Sequence, residues 1–581
     1  MTLPSFMDAY RPVVRGTEHM VSAGHYLAAN AANEILLAGG NAIDAGVAGG
    51  LVLGVVQSEL VNVAGVAPIM IYLAEQKEVV TIAGLGGWPA LANLEFFQRE
   101  CAGEIPESIL RTVVPAAPAA WIKALRLYGR MSFGEIASSA IRYARNGFVM
   151  YPLMAELLHE KEEKYARFQS NRKIYLPDGR PPAVGDMFVQ TDLGRSLQYM
   201  ADEERVALSH GATRDGGLDA AHDAFYRGDI AKSIVDYHIQ QGGLLRHNDL
   251  AAFDAPLEPA VCSQFNGIDV YACGPWTQGP IMLQCLQLLK GFDLQGMGHN
   301  SAEYIHTITE AFKLAAADRE RYYGDPNFVD VPIDALLSDG YADLRRSLID
   351  TANASPEMPA AGDPVHNLAF EGHGGQIAPK DDSDYPLDTS YLCVIDGAGN
   401  IFSATPSDTS YDTEVIPGTG LCPSSRGSQY WVEEGHPSNV ASGKRGRLTP
   451  NPAIAIKSEE FALPLGTPGG DVQCQAMIQT LLNISEFGMN TQAAVEAPRF
   501  AGFSFPNSFM PHAYLPGRLY LEGQLGDRAL RKTLSRLGHD VENWRSWDWK
   551  AGAMCIIRQN LKTGVLEAGA DPRRACYAIG H

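Results

Sequence analysis

The dipeptide Asp388-Thr389 constrains this chain more than any other feature, because a linker-like stretch runs up to it and a β-hairpin pattern starts on it. From Ala360 to Pro386 the text is AAGDPVHNLAFEGHGGQIAPKDDSDYP, rich in Gly, Pro and Asp with little apolar periodicity, so it reads as exposed and mobile. From Thr389, TSYLCVI reads as a strand, Asp396 to Asn400 (DGAGN) as its turn and Ile401 to Thr405 (IFSAT) as the return strand. A Thr opening a core strand straight after such a loop suits self-cleavage. Its hydroxyl can attack the preceding carbonyl, and the freed α-amine, with a pKa near 8, can then act as general base. The cut would leave 1–388 as a helix-rich fragment ending in the loop and 389–581 as a fragment bearing the nucleophile, the two forming one interwoven domain.

Composition narrows the partners. No Ser/Gly-rich or Pro-rich linker divides the 581 residues into independent domains. The formal net charge of −21, with no Lys/Arg stripe to offset it, repels phosphate backbones, so nucleic acid is excluded as a partner. The longest apolar run, Ala42 to Val56, contains Asp44 and is too short and Gly-rich to span a bilayer. The first residues lack the pattern of a secretory leader, so a cytoplasmic protein without a membrane partner is expected. Nine cysteines without CxxC or clustered spacing read as reduced side chains, and no metal or cofactor motif is present. His366, His373 and His436 lie in loops without ligand spacing and read as solvated.

Helical text dominates the first two thirds. Tyr26 to Ala38 carries an apolar stripe and stops at Gly39-Gly40, and Ser301 can cap a helix that ends by Gly324-Asp325-Pro326. Phe461 to Asp471 (FALPLGTPGGD) runs strand into glycine turn into helix.

Seven stretches, in consistent order, carry a resemblance to the γ-glutamyltransferase superfamily of N-terminal nucleophile hydrolases. They are Ala31 to Val56, Val113 to Phe148, Ser301 to Pro326, the Thr389 hairpin, PGTGL (Pro417 to Leu421), GTPGGD (Gly466 to Asp471) and EAPRF (Glu496 to Phe500). The resemblance implies an α+β fold, the four-layer αββα sandwich; pattern alone says only mixed α and β. It implies Thr389 as nucleophile after cleavage from Asp388, with Ser407 in place of the second Thr that hydrogen-bonds it. It also implies Gly469 and Gly470 as oxyanion hole, where backbone N–H groups before a helix meet developing negative charge. Thr409 stands where the γ-glutamyl enzymes carry Asn. Each residue also has a plainer reading: a strand-start Thr, a turn Ser, a strand-to-helix glycine turn.

The departures point away from γ-glutamyl substrates. Leu85 stands where the family's carboxylate-binding Arg is aligned, Pro423 to Trp431 (PSSRGSQYW) carries no acid for the substrate ammonium, and Leu448-Thr449 replaces a Ser pair. Arg426, Arg445 and Arg447, with Thr449, are candidates to bind a carboxylate placed elsewhere on the substrate; singly, each arginine fits a surface ion pair as well. Trp88 and Tyr411 fit either a pocket wall or the core. The expected activity is hydrolysis of a small non-γ-glutamyl amide by a self-processed enzyme, with a homodimer of two-fragment units as the candidate assembly. The alternatives are a glutathione hydrolase with an altered clamp and an uncleaved binding protein.

Overall fold

The computed structural model describes residues 9–372 and 388–581. Most of the 360–386 stretch, including His373, therefore lies outside the described residues.

Two seven-stranded antiparallel sheets stack face to face. The first runs, in spatial order, Val14–Gly16, Leu566–Ala570, Cys555–Asn560, Phe461–Gly466, Ala453–Lys457, Ile268–Ala272, Val261–Phe265. The second runs Tyr577–Gly580, Met20–Ala23, Leu392–Ile395, Ile401–Ala404, Ile69–Leu73, Glu78–Ile82, Leu257–Pro259. Period-two alternation decides which side chains meet which layer. In the hairpin after Thr389, Leu392 and Val394 face a core built with the helices Tyr26–Leu37, Ala42–Val56 and Ala117–Tyr128. Cys393 and Ile395 point the other way, into the layer between the sheets with Met70, Ile454 and Ile557. The outer face of the first sheet packs Val270, Ala455, Leu463 and Ile556 against the helices Gly279–Leu289, Ala302–Tyr322 and Val472–Ser485. Helix, sheet, sheet, helix is the four-layer αββα arrangement that the resemblance implied.

Both sheets mix strands from either side of position 388. Leu392–Ile395 pairs with Met20–Ala23, and Ile401–Ala404 with Ile69–Leu73. In the other sheet Ala453–Lys457 pairs with Ile268–Ala272.

The local signals act as read. Ser301 accepts a hydrogen bond from the Tyr304 N–H at 3.1 Å, and Ala38 caps the first helix before Gly39 turns at φ 96°. The apolar run is the helix Ala42–Val56, capped by Asn41 and wholly buried in protein. Among the described residues no helix is long and apolar enough to cross a membrane. All nine cysteines are free, seven of them buried. His366 is exposed as expected, but His436 is not solvated: its ring stacks on Trp431 at 4.3 Å and sits 3.7 Å from Glu320.

Candidate active site

One expectation shifts at the nucleophile itself. The strand begins at Leu392, three residues later than the text suggests, because Thr389 has φ 83°. A β-branched residue in this left-handed region carries strain of roughly 1–3 kcal/mol. Its N–H leaves the sheet and donates to the Leu60 carbonyl at 2.9 Å, while its own carbonyl accepts from Arg574 Nη1 at 3.1 Å. Leu60 follows the helix Ala42–Val56, so the core beneath that helix anchors the backbone at the Asp388-Thr389 bond.

Thr389 Oγ1 lies 2.6 Å from Ser407 Oγ and donates to Asp388 Oδ1 at 2.7 Å. Arg426 Nη2 hydrogen-bonds both Asp388 Oδ2 and Ser407 Oγ. All four side chains are buried. The hairpin sets this up, since Ile401–Ala404 returns antiparallel beside Leu392–Ile395 and brings Ser407 back to the start. Ser390 N–H to Pro406 O at 3.0 Å closes the register.

Asp408 is a site residue that the sequence reading did not single out. It is fully buried at φ 127°, accepting from Ser424 Oγ and Ser425 Oγ, both at 2.6 Å, and from the Ser425 N–H at 2.9 Å. Arg426 Nε stands 3.6 Å from it. Asn62 Nδ2 fixes the turn through the carbonyls of Asp408 (3.1 Å) and Thr409 (2.6 Å). Burial pushes the Asp408 carboxyl above its ordinary range, opposed chiefly by Arg426 and the two serines. The 423–431 stretch, without an acid of its own, thus receives one from the loop after the return strand. Position in the run ATPSDTS was the only sequence signal, and it is weak. Thr409 is buried beside it, its hydroxyl without a hydrogen-bond partner among the described residues.

The glycine loop closes the other side. A Cβ on Gly466 would lie 2.2 Å from Tyr391 Cε2, so the first sheet delivers the loop against the residue two past the nucleophile. Gly469 (φ 124°) and Gly470 (φ 54°) take conformations that suit glycine, and neither N–H donates a hydrogen bond among the described residues. Gln278 Nε2 ties the carbonyls of Gly470 and Thr449 together at 3.0 Å each, and Gln429 holds the Thr449 hydroxyl at 2.8 Å. Asp471 heads the helix Val472–Ser485 without capping it, its carboxylate being taken by Arg319 and Ser508.

The remaining candidates sit further into the protein. Arg445 is bound at 2.8 Å to both Asp325 and Glu258, and Arg447 at 2.9 Å to Glu320. Both are buried, so these are interior ion pairs rather than surface ones. Leu85 lies in the inter-sheet core, and Trp88 and Tyr411 belong to core clusters. The glycines of AGLGGWPA serve close packing: a Cβ on Gly86 would meet the Val114 carbonyl at 1.9 Å, and one on Gly87 the Gly443 carbonyl at 2.2 Å.

Glu59 is buried and lifted to about 7 by that burial, opposed by the Tyr151 hydroxyl, which donates to it at 2.7 Å. Arg574 adds a buried positive charge there. Among the described residues the one group with metal-ligand potential is His306, Glu310 and His539. It is self-satisfied: Glu310 pairs with Lys313 at 2.7 Å, and the histidines bond each other at 2.9 Å.

Comparison with known proteins follows this geometry. A family model described as Gamma-glutamyltranspeptidase matches residues 28–581. The chain is 29% identical to the "Glutathione hydrolase-like YwrD proenzyme" of Bacillus subtilis (strain 168), covering 98% of this chain and 99% of that protein. It is 31% identical to the "Acylase ACY 1 proenzyme" of Pseudomonas sp. (strain SE83), covering 83% and 82%. Among solved structures, the cephalosporin acylase from Bacillus halodurans superposes with a TM-score of 0.84 at 26% identity, over 100% of this chain and 99% of that one.

Proposed function

The chain belongs to the gamma-glutamyltranspeptidase family, and on that premise we propose that it is a self-processed amidohydrolase with Thr389 as nucleophile and a substrate other than a γ-glutamyl peptide. The observation that carries the reading is the buried triple contact of Thr389 Oγ1, Ser407 Oγ and Arg426 at the Asp388-Thr389 bond. After the cut, the Thr389 α-amine stays within reach of the Leu60 carbonyl that now holds its N–H, oriented to take the hydroxyl proton. The hydroxyl attacks the amide carbon, the Gly469 and Gly470 N–H groups stabilise the oxyanion, the amine leaves with a proton, and water releases the acid. Uncleaved scaffolding is the poorer reading, since a binding protein has no use for a buried, strained Thr wired to a Ser and an Arg.

Charge supports the substrate half of the proposal. A γ-glutamyl group presents an ammonium and a carboxylate together. Leu85 offers no cation, and Asp408 is committed to two serines and Arg426. Arg426 reaches the nucleophile hydroxyl through Ser407 Oγ, and cleavage frees it from Asp388. One observation favours the second reading, a glutathione hydrolase: Asp408 restores an acid to the clamp region, and relatives with that name match over most of the chain.

Two measurements test this. Purified protein should resolve into 1–388 and 389–581 by denaturing gel and intact mass, while Thr389→Ala stays one inactive chain; two fragments from that variant would remove Thr389 from the nucleophile role. On γ-glutamyl anilide the cleaved enzyme should show kcat/KM at least about 10²-fold below the ~10⁴ M⁻¹s⁻¹ that marks the low end for an enzyme on its own substrate. A value above that mark transfers the assignment to the second reading.

A further inference from the structure

We propose that the Asp388 side chain is the base that starts self-cleavage, a task the α-amine takes over only once it exists. The inference rests on Thr389 being the nucleophile and adds the group that activates it in the uncut chain.

Before the cut, the Thr389 nitrogen is an amide whose lone pair is delocalised and whose N–H already donates to Leu60 O, so it cannot accept a proton. Among the described residues, two partners touch the hydroxyl: Ser407 Oγ at 2.6 Å and Asp388 Oδ1 at 2.7 Å. Ser407 is an alcohol, a weak base, and its oxygen already accepts from Arg426. With the Thr389 proton directed to Asp388, the Ser407 proton is left to point at Thr389 Oγ1. The chain Arg426 to Ser407 to Thr389 to Asp388 therefore runs in one sense, drawing the proton off Oγ1 and stabilising the oxygen that remains. Arg426 also grips Asp388 Oδ2, which fixes the rotamer that keeps Oδ1 on the hydroxyl.

The step balances without a co-reactant other than water. Oγ1 forms a bond to the Asp388 carbonyl carbon as its proton moves to Oδ1, and the carbonyl oxygen takes the negative charge. The proton passes from Oδ1 to the Thr389 nitrogen, the C–N bond breaks, and an ester between the Asp388 carbonyl and Oγ1 is left beside a free amine. Water hydrolyses the ester, returning the hydroxyl and leaving Asp388 as a C-terminal carboxylic acid. The base departs with the cut, so this activation operates in the precursor alone.

The test follows maturation of pulse-labelled full-length chain on denaturing gels, comparing wild type, Asp388→Asn and Asp388→Glu. General-base assistance contributes typically 10²–10⁴-fold, so Asn, which keeps shape and loses the base, should mature on the order of 10² or more slower. Glu keeps the carboxylate and should mature at least about 10-fold faster than Asn. Equal rates for Asp and Asn, or for Glu and Asn, overturn the proposal, and the Glu comparison covers the case in which Asn disturbs folding. Failure of the wild-type chain to cut between 388 and 389 would instead sink the nucleophile reading itself.

Discussion

Replacing Arg426 by Met removes the only guanidinium touching both Asp388 and Ser407 and the nearest cation to Asp408. Breaking a buried ion pair from one side costs about 3–5 kcal/mol, because the partner charges stay buried without compensation. At roughly 2.1 cal/mol/K per residue, 581 residues give an unfolding entropy of about 1.2 kcal/mol/K, so the expected loss in Tm is about 2–4 °C. The pH dependence has a definite sign. Asp408 is already raised in the folded protein, so its contribution is favourable below the ordinary carboxylate range and is lost as pH rises through the folded value. Without Arg426 that value climbs further, so the Tm gap between the two proteins should be smallest below the ordinary carboxylate range and widen as pH rises through the folded values. The comparison belongs in the Thr389→Ala background, where both proteins remain single chains and calorimetry reads the same species. A gap under about 1 °C, or one that does not widen with pH, would show that the guanidinium is not the charge partner of these carboxylates.

Two other perturbations probe separate parts of the site. Gly470→Val places a β-branched residue at φ 54° and disturbs the paired amides; turnover of the cleaved enzyme should fall by a factor on the order of 10², and unchanged turnover would make the loop merely structural. Glu59→Gln tests the buried acid. The rise from 4.5 to about 7, a shift of 7 − 4.5 = 2.5, corresponds to about 3 kcal/mol that favours the folded state below the unfolded pKa and is lost as pH rises through 7. The parent protein should therefore lose about 2–3 °C more than the Gln variant between pH 5 and pH 8 by calorimetry, and parallel Tm curves would contradict it.

What the sequence made legible is local. A Gly-Gly turn before a helix and Ser or Gly at helix ends each act through neighbouring backbone, and these features stand where they were read, whereas the strand expected from Thr389 starts at Leu392. The two-layer sheet and the placement of Ser407 followed from the hairpin and the family resemblance. What stayed hidden depends on chain segments that meet only in three dimensions. Asp408 was not singled out because its partners, Ser424 to Arg426, are sixteen and more residues away. Arg426 read as one loop arginine among three; all three are buried, and their partners separate them, Arg426 closing on Asp388 and Ser407, Arg445 on Asp325 and Glu258, and Arg447 on Glu320. Asn62 lies 346 residues before the Asp408 carbonyl it holds, and Arg574 lies 185 residues after the Thr389 carbonyl it holds.

These hidden contacts also explain how one chain can hold an uncut bond and a poised nucleophile together. In the uncut chain Arg426 balances two acids, Asp388 and Asp408, so the pocket carries its extra negative charge from its own polypeptide. On the proposed cleavage, hydrolysis would release the Asp388 segment from the strained Thr389, and the strain at φ 83° would no longer have a peptide bond to constrain it. Arg426 then keeps Asp408 alone and regains capacity for one further anion. A substrate whose acyl part carries a carboxylate would restore the charge state that the precursor already accommodates, whereas an ammonium near Arg426 would meet repulsion at short range in a site of low dielectric. On the proposed reading, a neutral or anionic acyl group is thus the better fit to the cleaved site, and the glutamyl zwitterion the poorer one.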